Sequence, residues 1–238
     1  MNPSKSELKN KGLRKLKKED RVLKVLIDAG EGLTTYHLAK LSGSSQTYNR
    51  KFREQMRENW LVQICPKMTG KRKAYVWKPT PWGILRSGLP IEVKVKGLLN
   101  CSTLLKKLSE YLPLDNIAKG IWICYGYTII LEELAGVSFT EMKVMSIPKS
   151  KDEIKDALIK SNEHYVKSFE ESIILFLAEN FDKYRNVLKK AISDDDTIKH
   201  GLYDACWRLL QKLERAYKQL SFHVKVLEEF KESMQRGL

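Results

Sequence analysis

Residues 44–83 read SSQTYNRKFREQMRENWLVQICPKMTGKRKAYVWKPTPWG. The stretch holds nine basic residues: Arg50, Lys51, Arg53, Arg57, Lys67, Lys71, Arg72, Lys73 and Lys78, with Arg86 just beyond. Against them stand only Glu54 and Glu58. Apolar residues recur through it, so it is not a bare basic tail. Tyr48, Phe52 and Met56 lie four residues apart, the spacing of one inward stripe on a helix running from about Ser45 to Asn59. Gln46, Thr47, Arg50, Lys51, Arg53 and Arg57 are left for the rest of its surface. Two β-like runs, Trp60–Cys65 and Ala74–Pro79, flank PKMTGKRK, and Gly70 within it marks a hairpin with a basic tip. Thr80–Gly88, TPWGILRSG, reads as one capped turn of helix.

Upstream, Val22, Leu23, Val25, Leu26 and Ile27 form the apolar face of another helix. Glu19 and Asp20 lie in its first turn, where acids suit the helix dipole. Gly30 and Gly32 stop it. Thr34 or Thr35 caps a short helix over Tyr36–Leu41, and Ser42–Ser45 is a tight turn. Residues 1–18 are polar and Lys-rich. They form a basic arm, either a solubilising tail or a further contact with a polyanion.

The order is helix, helix, turn, helix, strand, basic hairpin, strand. This resembles the winged helix-turn-helix domain of bacterial and archaeal transcription regulators over residues 19–89. FREQMRENWLVQI (52–64) resembles the family's passage from third helix to first wing strand, with Trp60 where the family usually has glycine. WKPTPWGILRSG (77–88) resembles its closing Leu-Thr-x-x-Gly segment. The resemblance implies that the third helix enters the major groove, where each base pair shows a distinct donor and acceptor pattern. Its DNA-contacting residues would be Ser45, Gln46, Thr47, Arg50, Lys51 and Arg53. Gln46 would suit adenine, Arg50 guanine, and Thr47 a thymine methyl or a phosphate. Ser44, Ser45, the Tyr48 hydroxyl and the helix N-terminus would hold phosphate. In the wing, Lys67, Lys71, Arg72 and Lys73 would reach the backbone or a minor groove. Bland alternatives stand beside these roles. Tyr48 shares the stripe of Phe52 and Met56; Arg53 and Arg57 can pair with Glu54, Glu58 or solvent; the wing lysines can be a solvated loop.

The charge balance points the same way. The chain carries +14 over 238 residues, and residues 1–90 hold 20 Lys and Arg against 7 Asp and Glu. Residues 91–238 hold 23 against 22. A positive field concentrated on one module favours nucleic acid or an anionic surface. The four cysteines and four histidines are scattered, with no CxxC pair, so neither a metal site nor a cofactor is expected. No secretory h-region is present at the N-terminus, and Ile121–Leu131 is shorter than a bilayer span. These features suggest a cytoplasmic protein without a membrane partner. No phosphate loop, HExxH, GxSxG or paired acids suggest an enzyme.

Residues 90–238 read as an all-α helical bundle, so the fold class is mainly α. Ile91–Lys96 alternates like a short strand or an extended linker. Cys101–Pro113 is an amphipathic helix, and Asp115 caps the apolar run through Leu134. Residues 135–153 form a loop-rich stretch broken at Pro148. A long helix over Lys151–Ile192, ended by SDDDT (193–197), precedes a second over Ile198–Met234. The second helix carries the line Leu202, Cys206, Leu209, Leu213, Ala216, Leu220, Leu227, Phe230 and Met234. Helices of this length, roughly 55 Å, leave their ends exposed unless another chain covers them. A homodimer through Lys151–Met234 is the economical partner, and it would bring two winged domains to two half-sites. Trp122, Tyr125, Tyr127 and Trp207 either pack in the core or line an effector pocket.

The expectation is a sequence-specific duplex-DNA-binding transcription regulator acting as a dimer. A plasmid or viral replication or partition factor, an architectural chromatin protein, and a protein-interaction scaffold stay open beside it.

Overall fold

The computed structural model describes residues 16–42, 46–69, 72–113, 117–136 and 151–235. It is mainly helical with one small antiparallel sheet. The chain divides into two compact units, Met1–Lys119 with Ser161–Val166, and Gly120–Lys160 with Lys167–Leu238.

In the first unit, α1 (Lys18–Ala29) buries Val22, Leu23, Val25, Leu26 and Ile27, the stripe set by its sequence. Gly30, at φ 69°, ends it in the left-handed region that glycine enters without steric cost. α2 (Thr35–Ser42) starts on Thr34, whose Oγ accepts the His37 N–H at 3.4 Å. α3 (Gln46–Glu58) follows, with Met56 fully buried and Phe52 half-buried.

β1 (Val62–Thr69) and β2 (Arg72–Pro79) pair antiparallel from Val62 opposite Pro79 to Thr69 opposite Arg72. The ladder is longer than the sequence reading gave it. Pairing continues through Pro66, a residue that the edge of a two-stranded sheet tolerates. Leu33 bridges to the other edge of β2, exchanging N–H···O bonds of 3.1 and 2.8 Å with Trp77.

α4 (Pro81–Arg86) is the expected capped turn, with proline at its start and Thr80 as its cap. α5 (Ile91–Leu99) corrects the reading of Ile91–Lys96 as a strand or linker. The alternation stops at Gly97, and Val95, Leu98 and Leu99 form a helical face buried in the core. Lys96 bonds Asp28 of α1 at 3.2 Å, and Lys94 bonds the Leu85 carbonyl at 3.0 Å. α6 (Thr103–Leu108), capped by Ser102, adds Leu104, Leu105 and Leu108. Both α5 and α6, drawn from the neutral half of the sequence, therefore complete the core of the basic unit.

The second unit is built from α7 (Ala118–Leu134), α8 (Lys151–Glu179), α9 (Phe181–Asp194) and α10 (Asp196–Gln235), apart from the α7 and α8 residues grouped with the first. Its core includes Ile121, Tyr125, Phe169, Ile173, Leu188 and Leu209. The helix expected over Lys151–Ile192 is two helices. Asn180 leaves helical geometry at φ −116°, ψ 29°, and its side chain donates to the Phe176 carbonyl at 2.9 Å. Asp195 stands just before α10 and accepts the Thr197 N–H at 2.7 Å.

A charged network joins three of these helices. Lys212 of α10 bonds Glu132 of α7 and Glu171 of α8, both at 2.5 Å. Arg208 bonds Glu171 at 3.0 Å and Glu170 at 2.8 Å, and Ser168 donates to Glu132. Glu171 is fully buried, so its charge is held by these two cations. No helix among the described residues is long and apolar enough to cross a membrane. Asp115, the loop-rich residues 137–150 and the basic arm up to residue 15 lie outside the described residues.

Candidate nucleic-acid interface

Two side chains in the second half of α3 tie it to the domain. Met56 is buried beneath it, and Arg53 lies over the Trp77 ring at 5.4 Å. Trp77 in turn donates its indole N–H to the Thr35 hydroxyl at 3.0 Å. α2, α3 and β2 are thus clamped through one aromatic ring and one hydroxyl.

This placement corrects the reading of Arg53 as a DNA contact. Its side chain is 3 % exposed, and its Nη1 reaches the Thr35 carbonyl at 3.5 Å. Burial pulls the guanidinium pKa below its usual value, opposed by the Glu54 carboxylate. Its Nε has no hydrogen-bond partner among the described residues. Arg53 is a packing residue of the domain. The spacing of Phe52 and Met56 hid it, because a long side chain beside an apolar stripe can fold its stem inward.

The C-terminus of α3 carries Trp60. Trp60 sits at φ 58°, the left-handed position that glycine normally occupies. Its N–H bonds the Arg57 carbonyl at 3.0 Å, and the Leu61 N–H bonds the Met56 carbonyl at 2.9 Å. These are the paired bonds of a Schellman motif. The turn into β1 therefore keeps the glycine-type geometry with a tryptophan in place.

The Thr-x-x-Gly segment locks this turn from the other side. Thr80 donates its hydroxyl to the Trp60 carbonyl and accepts the Gly83 N–H at 3.0 Å. The Thr80 N–H bonds the Leu61 carbonyl at 3.1 Å. A Cβ on Gly83 would stand 2.2 Å from that same carbonyl oxygen, so only glycine lets α4 close on the turn. Trp82 stacks on Tyr165 at 6.0 Å, with the Arg86 guanidinium over its ring at 5.0 Å.

The remaining candidates divide between the helix and the hairpin. Gln46, Thr47, Arg50 and Lys51 lie in the first two turns of α3, and its first turn carries no acid. Their side chains lie outside what the structure describes, as do those of Arg72 and Lys73 in β2. Ser45 and Lys71 lie outside the described residues altogether. Lys67, on β1, bonds Glu31 at 2.5 Å, and both side chains are solvent-accessible. The bonded Lys67 ammonium holds the Glu31 carboxylate below its ordinary pKa, aided by Lys106 and Lys78. An exposed pair of this kind is weak and exchanges readily for another anion. Arg57 pairs with Glu54 at 2.7 Å. Lys18 adds a cation beside α3, lying 5.5 Å from the Phe52 ring.

In the second unit, Tyr125 packs on Phe169 at 5.7 Å and on Trp122 at 5.6 Å, as core residues do. Tyr127 and Trp207 are exposed. The described residues contain no group of three metal-ligating side chains. No protein-family model, curated protein or solved structure matches this chain.

Proposed function

We propose that this protein is a sequence-specific duplex-DNA-binding transcription regulator, with a winged helix-turn-helix at residues 19–89, acting as a dimer. The observation that carries the reading is the arrangement of α1–α2–α3–β1–β2. A helix bearing Arg50 and Lys51 is followed by a hairpin bearing Lys67, Arg72 and Lys73, in the half of the chain that holds nearly all the net positive charge. The Leu33 bridge and the Thr80–Gly83 lock add support, since they make the helix-to-hairpin turn rigid. Gln46, Thr47, Arg50 and Lys51 read base edges, and Lys67, Lys71, Arg72 and Lys73 hold phosphate. Arg53 is left out of this contact set because it is buried.

The test is a fluorescence-anisotropy titration of a labelled random duplex across a salt series. Each phosphate contact contributes about −0.9 to the slope of log affinity against log salt. Arg50→Ala/Lys51→Ala is expected to weaken binding and relax the preferred site, and Lys71→Ala/Arg72→Ala to weaken binding on every duplex and flatten that slope by about 2. Selection from a random library is then expected to return a preferred site, which separates a regulator from an architectural protein that binds any duplex alike. Absence of salt-dependent binding at low ionic strength overturns the reading in favour of a protein-interaction scaffold.

A further inference from the structure

Helix α10 has two apolar stripes, and the second unit uses only one. Ile198, Ala205, Leu209 and Ala216 are buried on the first. Beyond Ala216, every residue from Tyr217 to Glu232 is exposed, as is Met234. The second stripe begins at Tyr203 and steps alternately three and four residues to Met234. It passes through Leu213, Tyr217, Leu220, Val224 and Leu227. Every large apolar residue on it is 44 to 73 % exposed. Of its ten positions only Lys231 is charged. An alternation of three and four sustained over more than four heptads is the seam of a two-helix coiled coil.

We propose that this stripe is the self-association seam of the protein, and that two copies of α10 pair along it antiparallel. Three observations select a second copy as the occupant. The stripe at that exposure offers on the order of 100 Å² per side chain, or roughly 800 Å² per copy, the size of one side of a stable interface. The described residues of the second unit leave α10 exposed from Tyr217 to Glu232, so its apolar side chains there are not buried within one copy. Charge is segregated along it. Residues 213–225 carry Arg215, Lys218 and Lys225 against Glu214, whereas residues 226–235 carry Glu228, Glu229 and Glu232 against Lys231.

The same segregation sets the direction. A parallel pair would lay acid beside acid and put Lys231 across the seam from its own copy. An antiparallel pair that covers the whole stripe lays each acidic end beside residues 202–211, whose charges are Asp204 and Arg208, so acid no longer faces acid and Lys231 no longer faces its own copy. In the register that covers the whole stripe, Tyr217 meets the partner's Leu220, and Cys206 meets the partner's Lys231.

The seam specifies the dimer of the function proposed above, and its test does not involve DNA. Light scattering on the full chain is expected to give the mass of two copies. Leu220→Glu/Leu227→Glu replaces residues that are already exposed. It is expected to keep the helical circular dichroism and to raise the dimer dissociation constant roughly 10⁴-fold.

Direction is read from disulfides under oxidation. Antiparallel pairing holds the two Cys206 thiols on the order of 35 Å apart, so wild type forms no Cys206 cross-link. Lys231→Cys is expected to give a covalent dimer that disappears when Cys206→Ser is added. A monomeric wild type, a dimer unaffected by the two glutamates, a Cys206–Cys206 cross-link, or no cross-link in Lys231→Cys each overturns the proposal. A monomer that binds duplex in a salt-dependent way leaves the DNA reading of the first unit standing. A dimer that does not bind leaves only the seam.

Discussion

Replacing Gly83 by alanine sets two effects of opposite sign against each other. Alanine in a helix is favoured over glycine by about 1 kcal/mol. Its Cβ, however, would stand 2.2 Å from the Leu61 carbonyl oxygen and 2.8 Å from the Leu61 carbonyl carbon and Cα. The obstacle is backbone, so no rotamer change relieves it. Overpacking of this kind costs about 1 to 3 kcal/mol, and a main-chain obstacle belongs at the upper end. Moving α4 away would also stretch the Thr80 bonds to Trp60 and Gly83. The net expectation for Gly83→Ala is a loss of about 2 kcal/mol, read as a lower denaturation midpoint with an unchanged slope. Gly126→Ala is the internal control. It lies inside α7, its Cβ would meet nothing within 4 Å, and it is expected to gain up to about 1 kcal/mol. Urea titrations followed by circular dichroism measure both. A Gly83→Ala protein as stable as wild type would refute the claim that the closing Thr-x-x-Gly segment is a steric lock on the α3-to-β1 turn.

Three further outcomes follow from single contacts. Lys212→Met leaves buried Glu132 and Glu171 without their shared cation, and is expected to cost about 3 kcal/mol in chemical denaturation. Among the thiols, burial pushes Cys101 up to about 12, and burial with the Glu179 carboxylate pushes Cys124 up to about 11. Labelling by a thiol reagent near pH 8, read by mass spectrometry, is expected to reach Cys101 and Cys124 only on unfolding. For Asp28, burial raises the pKa, but bonds to Lys24 at 2.9 Å and Lys96 at 3.2 Å override it and leave the carboxyl below its ordinary value. A depressed carboxyl stabilises the fold above its unfolded pKa and loses that contribution as pH falls through the folded value. Wild type is therefore expected to exceed Asp28→Asn in stability by about 0.5 kcal/mol near neutrality, and the difference is expected to fall away as the pH drops below the ordinary carboxylate range.

Local pattern and local chemistry made much of the first unit legible from the residues. The stripe of α1, the Thr34 cap, the four-residue spacing in α3 and the proline-led turn at Thr80 depend on neighbours within a few positions. Their geometry follows from helix periodicity and capping alone. The hairpin was legible for the same reason, although its length was not, because strand pairing ends where the partner ends.

What only the tertiary structure decided involves residues far apart in sequence. Ile91–Lys96 alternates like a strand, yet α5 is a helix because Val95, Leu98 and Leu99 find a core to enter. Arg53 looks like a surface cation, yet Trp77 and Thr35 draw it inside. The single apolar line expected on the last helix is two lines, since α7 to α9 cover one face and leave the other bare. A sequence shows that a side chain is apolar or charged, but its burial depends on what the rest of the chain places opposite. That is why charge and periodicity sufficed for the element order and the basic module, while the packing of Arg53, the fate of α5 and the open seam of α10 required the fold.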